Sequence, residues 1–251
     1  MKIGIFAADK IGQKIVSLFS KRNQEIMFLV LDEKESGHIN EKIKNTARCK
    51  NIYFNKDLYK VEVLDFFESL EIDLIILAWW PYIIKKPLLD IPRMGFLNTH
   101  PSLLPYNRGK HYYFWNLIED VPFGVTLHWI DEEIDSGDIA FQKQLDKSWE
   151  DTGFTLREKG REEIIKLFED NLDVIISGNI PRKKQDLKKG SFRLGKEIEG
   201  SSKIDLDQSY TVKELLNTIR ARSGFASGGI CFEEDNKKYK VNLSIKKVTD
   251  E

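Results

Sequence analysis

Short, uniformly apolar runs alternate with longer mixed segments through the first part of the chain, and this alternation limits the fold more than any other feature. Residues 2–7, 26–31, 51–54, 73–79 and 95–99 are rich in β-branched or aromatic side chains and show little polar alternation. Strands of that kind are buried on both faces. Between them, residues 11–20 and 59–70 carry helix-like spacing. Strand and helix in turn imply a parallel sheet with helices on both faces, and ligands at the carboxyl ends of the strands. The expected fold class is α/β, a Rossmann-like, mostly parallel sheet.

The later chain changes character. Residues 123–130 and 139–145 are β-rich and flank an acidic loop, Asp131-Glu132-Glu133-Ile134-Asp135-Ser136-Gly137-Asp138. A long helix is predicted over 155–176, with Thr155 and Glu158 at capping-box spacing and Leu167, Phe168, Leu172 and Ile175 as its apolar stripe. Residues 181–202 lose periodicity and read as a basic connector, with Arg182, Lys183, Lys184, Lys188 and Lys189 close together. Beyond it come a helix over 211–220, capped by Thr211 and Glu214, and strands near 229–233 and 239–245. The domain division expected is 1–185 and an α+β extension, 186–251.

Several function classes are excluded early. The 39 Lys and Arg against 40 Asp and Glu leave a net charge of −1, which gives no broad grip on nucleic acid or an anionic membrane. No apolar run is long enough to span a bilayer, and residues 1–6 enter a strand without signal-peptide architecture, so a cytoplasmic protein is expected. Cys49 and Cys231 form no disulfide or zinc pattern. After the first strand, Ala7-Ala8-Asp9-Lys10-Ile11-Gly12 lacks the glycines of a dinucleotide fingerprint, and neither a Walker A sequence, a GxSxG elbow nor an HExxH helix occurs.

Asn98-Thr99-His100-Pro101 carries more information. Asn98 and His100 project to one side if they end a strand, and Pro101 cannot continue a ladder, so both side chains arrive at the ligand rim. Taken alone they could equally satisfy loop backbone. The acidic loop supplies a second cluster, in which Asp135-Ser136-Gly137 fails the spacing of a calcium loop. A carboxylate beside His100 would fix its tautomer and suit it to general-base work, and the Asn98 amide could donate to a developing oxyanion. Such a trio describes acyl transfer without a covalent nucleophile.

Asn98-Thr99-His100-Pro101-Ser102-Leu103-Leu104-Pro105, followed by Ile134-Asp135-Ser136-Gly137, resembles the signature of the folate-dependent formyltransferases. The resemblance implies that Asn98, His100 and Asp135 work at the formyl carbon, with N10-formyltetrahydrofolate as cosubstrate and no metal. It also implies that two loops hold the pterin, through Trp80, Tyr82 and Ile84 on one and Ile130, Asp131, Glu132 and Ile134 on the other. Glycinamide ribonucleotide enzymes resemble only residues 1–185, and methionyl-tRNA enzymes have a longer basic tail. Leu104-Pro105-Tyr106-Asn107-Arg108-Gly109-Lys110-His111 and Pro122-Phe123-Gly124-Val125-Thr126-Leu127-His128 are most similar to the sugar N-formyltransferases. That similarity implies a nucleotide-linked amino sugar as partner, with dTDP-4-amino-4,6-dideoxyglucose for surface polysaccharide the expected acceptor; the exposed hairpin edge of the tail separately suggests a homodimer. The alternatives are another acceptor on the same scaffold, such as a 3-amino sugar, a GDP- or UDP-sugar or glycinamide ribonucleotide, and a non-catalytic binding module.

Phe114, Leu117, Ile118 and Val121 predict a helix beginning near Gly109, which would put Arg108 and Lys110 at its positive end. An anion would relieve that mismatch: a nucleotide diphosphate, a folate or side-chain carboxylate, or solvent alone. Lys10, on the loop after the first strand, faces the same rim as a second phosphate candidate, and with Tyr106, Asn107, Arg108, Gly109 and Lys110 it makes up the candidate substrate-binding residues. Trp79 and Trp80 could stack on a base or pterin, whereas Trp115, His111 and His128 read as packing or hydrogen-bonded residues.

Overall fold

Uniformly apolar strands have no face to offer water, and here they fill the middle of a sheet. The computed structural model describes residues 1–226 and 228–248. In chain order the elements are Ile3–Ala7 (β1), Asp9–Lys21 (α1), Ile26–Leu31 (β2), Gly37–Ala47 (α2), Ile52–Phe54 (β3), Val61–Ser69 (α3), Leu74–Ala78 (β4), Gly95–His100 (β5), Arg108–Gly109 (β6), Tyr112–Ile118 (α4), Phe123–Trp129 (β7), Ile139–Leu145 (β8), Gly153–Asp170 (α5), Leu172–Ser177 (α6), Phe192–Arg193 (β9), Glu197–Gly200 (α7), Val212–Arg222 (α8), Ile230–Glu234 (β10) and Lys237–Val241 (β11). Among the described residues no helix is long and apolar enough to cross a membrane.

The main sheet has seven strands in the order β3-β2-β1-β4-β5-β7-β8. From β3 to β5 every pairing is parallel. β7 then runs antiparallel to β5 and sets Asn98 opposite His128 and His100 opposite Thr126. Strand order turns at β1, between β2 and β4, and this is where α/β sheets open a crevice at their carboxyl ends. One core cluster joins Phe6, Phe28, Phe67, Trp80 and Phe96, with Phe28 stacked on Phe67 at 3.9 Å between ring centroids.

Residues Met1–His100, Thr126–Gln142 and Glu163–Gln185 form one compact unit. Pro101–Val125, Lys143–Glu162 and the chain from Asp186 onward form a second. Two segments of the second unit thus fall within 1–185, which the sequence reading places in one domain. Ser227 and residues 249–251 of the extension lie outside the described residues.

Local departures from the expected elements have identifiable causes. Thr152 and Thr155 exchange side-chain and backbone hydrogen bonds at the start of α5, so the Thr155–Glu158 box does not form. The single helix expected over 155–176 is interrupted at Asn171, whose amide donates to the Leu167 carbonyl at 2.8 Å and which caps α6. The apolar stripe runs across that break, with Leu167, Phe168, Leu172 and Ile175 all buried. α2, which the apolar pattern did not announce, starts from a Ser36 side chain that accepts the Ile39 amide. In the second unit, Thr211 and Glu214 complete the expected capping box on α8. β10 and β11 are joined through Asp235 and Asn236, both at positive φ as a type I′ hairpin requires, and β11 ends at Val241 rather than 245.

Candidate active site

β5 brings Asn98 and His100 to the carboxyl end of the sheet, and the loop between β7 and β8 brings Asp135. That loop follows a tight path. A Cβ on Gly137 would lie 2.1 Å from the Trp129 carbonyl oxygen, so only glycine lets the backbone pass. The Trp129 amide donates to the Asp138 carbonyl at 2.9 Å, Ser136 donates to Asp131, and Asp135 takes φ +53, a conformation aspartate tolerates better than most residues. As a result Asp135 Oδ2 stands 3.5 Å from His100 Nδ1. This is ion-pair range, longer than a tight hydrogen bond. Both side chains are largely removed from water, at 7% and 12% exposure, so solvent screens their interaction little.

A fourth residue joins the trio. His128 on β7 is wholly buried, and its Nε2 lies 3.5 Å from Asp135 Oδ1 and 3.1 Å from Asn98 Nδ2. Its Nδ1 is 2.8 Å from the Trp129 carbonyl, which can only accept, so Nδ1 carries the hydrogen. In the neutral ring Nε2 then accepts, and Asn98 turns its amide nitrogen toward it. His128 thereby fixes the orientation of the Asn98 amide. The sequence reading of His128 as a hydrogen-bonded residue agrees with this, but its partner follows only from the pairing of β5 with β7.

The loop after β4 lies beside this group. Trp79, at φ +63, donates its amide to the Thr99 hydroxyl at 3.0 Å, and that hydroxyl donates to the Leu77 carbonyl. Trp80 packs edge-on against Phe6, and its buried indole nitrogen has no hydrogen-bond partner among the described residues. A cavity of about 700 Å³ is lined by Tyr59, Trp80, Pro81, Tyr82, Ile83 and Lys85, among others. Burial, and then the hydrogen bond its hydroxyl donates to Asp32, push the Tyr82 phenol up to about 12. Ile84 is buried. On the second loop the Ile130 amide donates to the Phe96 carbonyl, and Lys86 bridges to Glu132 at 3.1 Å. Asp131 accepts the Glu133 amide, and Ile134 is 36% exposed. A cavity lined by aromatic side chains suits a flat heterocycle.

Residues 3–172 match the family model described as formyl transferase. The chain belongs to the formyl transferase family. Residues 197–247 match a second model, the N-formyltransferase dimerization C-terminal domain. A methionyl-tRNA formyltransferase of Fusobacterium nucleatum is 29% identical over 183 residues, covering 71% of this chain and 57% of that protein. The chain spans about half the length of the curated relatives it matches. Among solved structures, a sugar N-formyltransferase from a Shewanella species superposes with a TM-score of 0.79 at 21% identity, covering 99% of both chains. A formyltransferase from Anoxybacillus kamchatkensis, in complex with UDP-4,6-dideoxy-4-formamido-L-AltNAc and tetrahydrofolate, is 26% identical with a TM-score of 0.54, covering 69% of this chain and 88% of that one.

The segment expected to meet an anion is built differently from its sequence reading. Arg108 and Gly109 form β6, parallel to β9, and do not begin a helix. α4 starts only at Tyr112, because His111 takes a left-handed conformation and ends the strand-like stretch. Arg108, four residues before α4, therefore does not stand at a helix terminus, whereas Lys110 directly precedes the N-cap residue His111. The Arg108 guanidinium lies 5.9 Å from the Phe192 ring centroid, and its buried Nε has no partner among the described residues. Gly109 holds φ +90 where a Cβ would meet the Arg193 carbonyl at 2.2 Å, and the Lys110 amide donates to that same carbonyl. Asn107 is buried and engaged by Glu119, Ser191 and Asn116, which leaves its side chain a structural part. Tyr106 closes a turn onto the Leu103 carbonyl. Lys10 is exposed, in the first turn of α1 rather than on a loop. Arg193 covers the Trp115 ring at 4.4 Å while paired with Glu119, in keeping with a packing role for that tryptophan. Among the described residues no group of three or more His, Cys, Asp or Glu side chains is placed to hold a metal ion.

Proposed function

We propose that this protein transfers a formyl group from N10-formyltetrahydrofolate to the amino group of a nucleotide-linked amino sugar, with dTDP-4-amino-4,6-dideoxyglucose as the acceptor and surface polysaccharide as the destination. The reaction needs no metal in this reading, and the protein works in the cytoplasm as a homodimer joined through its C-terminal residues. The observation that carries the proposal is the Asp135 carboxylate set 3.5 Å from His100, with Asn98 two positions before it on the same strand. The sugar acceptor is supported by similarity along the whole chain to a sugar N-formyltransferase and by the match of residues 197–247. The 4-amino position is supported by the 4-formamido sugar bound to the Anoxybacillus protein.

The cosubstrate, when bound, supplies an electrophilic formyl carbon. Trp80, Tyr82 and Ile84, with Ile130, Asp131, Glu132 and Ile134, are the residues assigned to hold it, and the aromatic lining of the cavity fits a pterin. The chain's own work lies at the trio. His128 takes one hydrogen of the Asn98 amide, and the other is directed at the formyl oxygen, which gathers negative charge as the amine attacks. His100 donates to the same oxygen as an imidazolium, stabilised by Asp135. Asp135 then takes the proton that the attacking nitrogen sheds, and His100 gives its proton to the departing N10 of tetrahydrofolate as the bond between the formyl carbon and N10 breaks. Lys10, Tyr106, Arg108, Gly109 and Lys110 are proposed to meet the nucleotide phosphates.

The test is incubation with N10-formyltetrahydrofolate and a panel of dTDP- and UDP-linked 3- and 4-amino sugars, glycinamide ribonucleotide and water alone, read by mass. A formyl mass gained by a 4-amino sugar nucleotide is expected. Formate release without a formylated sugar, or binding without turnover, would overturn the proposal.

A further inference from the structure

The basic stretch after α6 has a specific place beside the loop that carries Asp135. The Pro181 carbonyl accepts the Trp129 indole N–H at 2.9 Å, and the Arg182 guanidinium lies 3.6 Å from the Trp129 ring centroid while donating to the Met94 carbonyl. Lys183 and Ile139 exchange both backbone hydrogen bonds at the start of β8. Gln185 then donates from Nε2 to two carbonyls of the acidic loop, Asp135 at 3.0 Å and Gly137 at 2.6 Å. Trp129 anchors the near end of that loop, and Ile139 begins the strand at its far end. Residues 181–185 therefore fasten both ends and the catalytic turn itself.

Gln185 Oε1 is buried without a hydrogen-bond partner among the described residues. Both hydrogens of the amide nitrogen are used while the acceptor stays unmatched, so it is the donor half of the side chain that the site requires. Asp135 holds a left-handed backbone, which non-glycine residues keep only where the surroundings impose it. The geometry points to Gln185 as a positioning residue: by tying down the Asp135 and Gly137 carbonyls it holds the Asp135 carboxylate between His100 and His128. This inference rests on the proposed formyl transfer for its kinetic arm only.

The test compares Gln185→Met, which keeps the shape but cannot donate, with Gln185→Lys, which can donate. Expected for Gln185→Met is a fall in kcat of roughly ten- to a hundredfold with little change in KM, the scale of a displacement near 1 Å. The ¹⁵N shifts of the His100 and His128 rings at fixed pH should move toward those of Asp135→Asn, and Gln185→Lys should recover both readouts in large part. Unmoved ring shifts in folded Gln185→Met overturn the inference, even if activity falls with folded fraction. If the wild type formylates no acceptor, the proposed function fails, and the ring shifts still decide the role of Gln185.

Discussion

Replacing Asp135 with Asn removes one charge and almost no volume, and Asn also tolerates the positive φ found there. Two unit charges 3.5 Å apart attract by about 5 kcal/mol at an effective dielectric near 20. That attraction holds His100 in the imidazolium form that donates to the developing oxyanion, so it matters most where charge gathers in the transition state. An asparagine oxygen can still accept from Nδ1 and recovers part of it, which leaves about 3–4 kcal/mol, or a fall in kcat of roughly two to three powers of ten. Because the interaction is felt at the developing oxyanion and not in substrate binding, kcat and kcat/KM should fall together. The assay is a single-turnover quench with N10-formyltetrahydrofolate and the best acceptor, read by product mass. With Asp135 only 12% exposed, the ratio of wild type to variant should change little between low and high salt. In a double-mutant cycle with His100→Asn the losses should not add, since the carboxylate acts through the imidazole. Turnover within about tenfold of wild type would refute the electrostatic role assigned to Asp135.

Two further changes probe the scaffold. Gly137→Ala forces a Cβ to within 2.1 Å of a backbone oxygen that the neighbouring strand holds in place, so destabilisation by about 3 kcal/mol is expected, with a drop in kcat as Asp135 shifts; urea midpoints and kcat on one preparation check both. His111 titrates below its ordinary range because burial, and then Arg222 and Lys110, disfavour its charged form. The unfolded chain therefore takes up that proton first, and stability contributed by the neutral ring is lost as pH falls through the unfolded value of about 6.5, until the folded form also protonates. His111→Asn, which keeps the left-handed backbone, should lose less stability than wild type between neutral and mildly acidic pH, and an identical decline in urea midpoint would count against this.

The parallel strands were legible because a sheet buried on both faces leaves unbroken apolar runs, and β2 begins and ends where its run does. Asn98 and His100 were legible for a related reason, as polar residues at alternate positions where Pro101 stops a strand. Arg108 was misread because the periodicity of Phe114, Leu117 and Ile118 marks a helix but not its start. That start depends on the pairing of β6 with β9, more distant in the chain than any local pattern reaches.

Chemistry and periodicity written along the chain thus determined the layered α/β class, the polar trio and its likeness to the formyl transferases. Tertiary structure decided which partners those groups have: His128 on the Asn98 amide, Gln185 beneath Asp135, and Trp129 between the loop and residues 181–185. The physical reason is one of range. Side-chain period and turn chemistry act over a few residues, whereas a hydrogen bond between Gln185 and the Asp135 carbonyl exists only once the sheet and the returning chain have brought them together.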